Sequence, residues 1–123
     1  MHFTEQNTNG VVYMTASHIP MKHCFTTRYG GVSSGHLASL NIGIHRGDGW
    51  ENVLKNYEIL GSAVGFKVEN CVLTRQTHTD LVRVVTKADH VSIFHRDYPE
   101  CDALITNDPG TALMIYTADC TPL

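Results

Sequence analysis

The sequence predicts an α+β fold, a mixed sheet with few helices. Two observations carry that expectation: several short β-branched and aromatic runs lie along the chain, and a single amphipathic helical stretch interrupts them. Strands and helices do not alternate regularly, as a doubly wound parallel sheet would require. A length of 123 residues, 42% hydrophobic and 17% charged, suits one compact unit with a proper core.

The first strands expected are Gly10 to Ser17 and His23 to Arg28, separated by a loop around Pro20. The stretch from Arg28 to Gly43 then carries Gly30, Gly31, Gly35 and Gly43 among Ser33, Ser34 and Ser39, the composition of a long loop with unusual backbone angles. Loops of that length in a compact domain are usually functional. The helix follows in DGWENVLKNYEILGSAVG, with Asp48 as its expected cap, Glu51 completing a capping box and Gly65 at the left-handed exit. Trp50, Val53, Leu54, Tyr57, Leu60 and Val64 recur at helical spacing and should face the core. Asn70 to Gln76 and Leu81 to Val85 read as strands flanking THTD, which puts His78 in or beside a tight connection. Asp102 to Thr106 and Thr111 to Cys120 read as a hairpin across NDPG.

Composition narrows the function classes. Nine Lys plus Arg against twelve Asp plus Glu give a net charge of -3 with no basic cluster, which argues against nucleic acid or an anionic membrane as partner. The start of the chain lacks the basic and apolar regions of a signal peptide, and no apolar run approaches a membrane span, so a cytoplasmic protein is expected. Cys24, Cys71, Cys101 and Cys120 form no C-x-x-C pair, and none of the eight histidines falls in H-x-H or H-E-x-x-H.

Four positions stand out. Cys120 follows an apolar run and Asp119, and a carboxylate at the end of a buried strand needs a hydrogen-bonding or metal-related reason. His78 sits among Gln76, Thr77, Thr79 and Asp80, polar neighbours able to fix its tautomer. A His and a Cys make an incomplete zinc site, because catalytic zinc takes three protein ligands. Arg28 ends a strand before two glycines, where a guanidinium and exposed N–H groups suit an anion such as phosphate; composition alone favours pairing with an acid. Asn41 either satisfies loop backbone groups or reads a base edge.

Four stretches together resemble the bacterial YfiH-like family, which has carried the labels polyphenol oxidase or laccase-domain protein, peptidoglycan editing factor and purine nucleoside phosphorylase. They are FTTRYGGVSSGHLASLNIGIHRGD, NYEIL, RQTH and DALITNDPGTALMIYTADCTPL, in family order from Phe25 onward. The resemblance implies a zinc ion on His78 and Cys120, with a third ligand, a His in the family's H-A-G-W-R-G motif, expected beyond Leu123. It also implies that residues 1–123 are the N-terminal portion of a single YfiH-like domain about twice this length. The implied activity is phosphorolysis of adenosine, inosine or guanosine, with deamination of adenosine to inosine. Zinc would lower the pKa of a bound water, Arg28 would bind phosphate, Asn41 would orient base or ribose, and Asp119 would support the site or accept a proton. The laccase label fits poorly, because multicopper oxidation needs paired histidine patterns. A second enzyme reading makes Cys120 a thiolate nucleophile with His78 as base, for peptidoglycan-related hydrolysis. A third treats the chain as an inactive or interaction-only domain that self-associates through an unfinished apolar edge.

Overall fold

A computed structural model describes residues 2–95 and 97–118. The architecture is α+β with few helices, as the sequence predicts, and the chain forms two compact units, Met1–Gly65 and Phe66–Leu123.

In the first unit, β1 (Phe3–Thr8) pairs antiparallel with β2 (Val11–Ala16), which pairs antiparallel with β3 (Phe25–Thr26). Strand β1 escapes the sequence reading because FTEQNT is polar after Phe3, and four of its six residues are exposed. It is held by full register with β2, from Phe3 opposite Ala16 to Thr8 opposite Val11, rather than by burial of its side chains. The turn at Asn9 and Gly10 has positive φ at both residues, the geometry of a tight hairpin. Helix α1 (Trp50–Val64) packs against β2. Val53, Tyr57 and Leu60 are fully buried, and Gly65 takes the left-handed exit at φ 97°. Trp50 departs from the expected core stripe and is 60% exposed. The expected cap is also corrected. Gly49 holds the cap position with no side-chain capping bond, because the Asp48 carboxylate is committed elsewhere.

The second unit contains two short parallel pairs. Strand β4 (Cys71–Leu73) pairs with β7 (Ala112–Met114), and β5 (Val82–Val84) pairs with β6 (Ala103–Ile105). The expected hairpin between Asp102–Thr106 and Thr111–Cys120 does not form. The turn at Pro109 and Gly110 is present, with the Thr111 N–H donating to the Asp108 carbonyl at 3.4 Å, but the two strands it joins pair with different partners. Turn chemistry is local, whereas pairing follows whichever long-range edge buries the strand, and β4 is buried at all three positions. Alternation along β5 sends Arg83 inward, onto Asp89 and over the Tyr98 ring at 5.8 Å, and leaves Val82 and Val84 exposed.

Candidate functional site

The candidate residues that are described, Arg28, Asn41 and His78, fall on two loops, one in each unit. The first runs from Arg28 to Asp48. Gly31 lies so close to the backbone of Ser39 and Leu40 and to the Asn56 amide that a side chain there would collide with all three. Arg28 is exposed, and its Nε donates to the Ala38 carbonyl at 2.8 Å; its own carbonyl accepts from the Ser39 and Leu40 N–H groups. Asn41 is half-buried and works within the loop: its Nδ2 donates to the Gly43 carbonyl at 3.3 Å and to Asp48 at 3.1 Å, and its Oδ1 accepts from the Gly43 N–H.

Two residues organise this loop: Asn56, which the sequence reading passed over, and Asp48, which it placed at the helix cap. Asn56, on the buried face of α1, is 0% exposed. It accepts from the Val32 N–H and donates to Ser33 Oγ and the Asn41 carbonyl, each at 2.8 Å. Asp48 accepts from Ser33, Asn41, Asn52 and the Gly49 N–H. These donors, the Ser33 hydroxyl foremost, lower its pKa to about 2. A polar residue within an apolar helical stripe was the available signal for Asn56, since such a group is retained only when fully bonded.

The second loop, between β4 and β5, carries His78. The residue is exposed and sits at φ 63°, the left-handed region that a non-glycine residue occupies only when its surroundings hold it there. The holding group is Asp102, at the entrance to β6. Its carboxylate accepts from the N–H groups of Thr77 (3.3 Å), His78 (3.0 Å) and Thr79 (2.7 Å) and from the Thr79 hydroxyl (2.8 Å). Those bonds, from Thr79 most of all, lower the Asp102 pKa to about 2. Gln76 makes a second attachment. Its Nε2 donates to the Tyr116 carbonyl and its Oε1 accepts from the Tyr116 N–H, both at 2.8 Å, so one side chain pairs with a backbone 40 residues away as a strand would. Of the neighbours read as orienting the imidazole, Thr79 bonds the carboxylate that holds the loop and Gln76 bonds the Tyr116 backbone.

Asp119 and Cys120 lie outside the described residues. Of the other thiols, Cys71 is buried and pushed up to about 12, first by burial and then by Glu69; Cys24 is also raised by burial, and Cys101 is buried. Burial disfavours the thiolate at Cys71 and Cys24. Among the described residues no three His, Cys, Asp or Glu side chains gather to hold a metal ion, so His78 is the only member of the expected zinc set that is described. Its exposed imidazole on a fixed loop is the kind of donor zinc accepts. No described helix is long and apolar enough to cross a membrane.

Fold and loops together define an α+β chain whose exposed histidine is carried on a carboxylate-clasped turn. The chain belongs to the family described as multi-copper polyphenol oxidoreductase laccase, whose model matches residues 22–123. It is 36% identical over 104 residues to a purine nucleoside phosphorylase of Corynebacterium glutamicum, covering 85% of this chain and 41% of the relative. It is 37% identical over 117 residues to a purine nucleoside phosphorylase of Deinococcus radiodurans, covering 93% of this chain and 42% of that one. The crystal structure of YlmD from Geobacillus stearothermophilus superposes with a TM-score of 0.80 at 32% identity, over 96% of this chain and 45% of that chain. The chain thus spans less than half the length of these relatives.

Proposed function

We propose that this chain carries part of a purine nucleoside phosphorylase site. In the reaction a phosphate oxygen bonds to C1′ of the ribose as the glycosidic C–N bond breaks, which gives ribose 1-phosphate and the free base of adenosine, inosine or guanosine. The observation that carries the reading is 36% identity over 85% of the chain to a relative named for that activity. Deamination of adenosine to inosine is the second activity we assign, and the cytoplasm is the compartment.

We assign zinc as the metal, with His78 and Cys120 as donors and a third donor from outside these 123 residues. Imidazole nitrogen and thiolate sulfur are ligand types that suit zinc, which would supply Lewis acidity when bound. Arg28 spends its Nε on Ala38, which leaves its Nη groups for phosphate. Asn41 orients base or ribose from a loop whose shape its own side chain fixes. Asp119 supports Cys120 or accepts a proton.

The test is zinc content per chain together with phosphate-dependent release of hypoxanthine from inosine, for the wild type and His78→Ala. Stoichiometric zinc and turnover, both lost in the variant, are expected if another chain or segment supplies the third donor. Neither zinc nor turnover in the wild type would overturn the reading for this chain and leave an inactive or interaction-only domain.

A further inference from the structure

We propose that Asp102 and Gln76 are positioning residues that together present His78: Asp102 fixes the backbone of the loop, and Gln76 fixes the distance of that loop from the segment after β7. The inference rests on the reading of His78 as a site residue, but the two attachments are geometric and stand on their own contacts.

Asp102 gathers three consecutive N–H groups, those of Thr77, His78 and Thr79. Such a set converges on one carboxylate only when the chain curls around it, and at His78 the curl takes the form of a positive φ. Without the carboxylate, nothing in the sequence THTD favours left-handed geometry at a histidine over an extended one. Gln76 makes the second attachment. The parallel ladder of β4 and β7 ends at Leu73 opposite Met114, and there the backbone of β4 leaves the sheet. The Thr74 hydroxyl then donates to Gln76 Oε1 at 2.7 Å and lies 3.3 Å from the Met114 carbonyl, and the Gln76 amide continues the pairing onto Tyr116. The side chain thus replaces a missing ladder rung, while the backbone is free to turn toward Asp102. Tyr116 stands four residues before Cys120 in sequence, so the same amide ties the histidine loop to the segment that leads to the second proposed zinc donor.

Amide hydrogen exchange by NMR on the 123-residue chain tests this, with Asp102→Ala, Asp102→Asn, Gln76→Ala and Gln76→Glu. In Asp102→Ala the amides of Thr77, His78 and Thr79 should exchange about tenfold faster or more. The Val85 amide, bonded to the Ile105 carbonyl, should keep its protection. Asp102→Asn retains one accepting oxygen and should restore part of the protection. Gln76→Ala should release the Tyr116 amide, and Gln76→Glu, which keeps the acceptor, should restore it. Unchanged His78 exchange in Asp102→Ala would overturn the proposal. So would equal loss at Val85 in both Asp102 variants, because the residue would then be a general support of the fold. Where the wild type turns over inosine, kcat should fall in both alanine variants with KM for phosphate held within about twofold, since neither residue is assigned to phosphate. A wild type without zinc or turnover counts against the functional reading alone, and the exchange pattern still decides the positioning.

Discussion

The loop before α1 and the loop after β4 are each closed by one carboxylate, yet they recruit opposite kinds of donor. Asp48 is held mainly by side chains, from Ser33, Asn41 and Asn52, with Asn56 bracing the same loop from the helix. Asp102 is held mainly by backbone, from three successive N–H groups. A side-chain network fixes where a loop lies while leaving its individual torsions to glycine and serine. A backbone cradle fixes the torsions themselves, as placing one imidazole requires. The two loops also differ in exposure: His78 is exposed, whereas Asn56 is fully buried.

The largest expected effect breaks the first network at its buried end. Asn56→Ala leaves the Val32 N–H, Ser33 and the Asn41 carbonyl short of partners and should cost about 3 kcal/mol in urea denaturation; a loss under about 1 kcal/mol would mean that the loop closes without it.

Acid then sharpens the comparison. Asp48 has a folded-state pKa of about 2 against an ordinary 3.8, so its stabilisation is fully present above the ordinary value and is lost as pH falls through about 2. Asp48→Asn should therefore be less stable at neutral pH and show a flatter fall in melting temperature across that window. Some slope should remain, because Asp102 titrates over the same range. An unchanged slope would show that the Asp48 bonds are already broken in solution.

A smaller effect belongs to the backbone cradle. Thr79→Val removes the hydroxyl that donates to Asp102 at 2.8 Å and accepts from the Leu81 N–H at 3.3 Å, leaves the three N–H bonds to the carboxylate, and should cost about 0.5–1 kcal/mol in thermal denaturation. A cost above about 2 kcal/mol would mean that the side chain, rather than the backbone, holds this loop. The smallest effect is the exposed pair Lys55 and Glu58, at 3.7 Å with side chains 59% and 51% exposed; Lys55→Ala should change stability by no more than about 0.5 kcal/mol.

Local chemistry determined a good deal from sequence alone. The helix, its Val53, Tyr57 and Leu60 face and its glycine exit follow from spacing and from a residue free to adopt positive φ, and the glycine-rich loop and the turn at Pro109 follow from composition. Family membership was also legible, because RQTH and its companion stretches are short contiguous strings. Tertiary structure alone decided strand partnership, which turned an expected hairpin into two parallel pairs. It also decided which polar groups serve which loop, since Asp102 reaches the His78 loop over 24 residues, Gln76 reaches Tyr116 over 40, and Asp48 gives up the helix cap for the loop. Periodicity and turn rules act over a few neighbouring residues, whereas a carboxylate or an amide takes whatever donor the packed chain brings within hydrogen-bond reach.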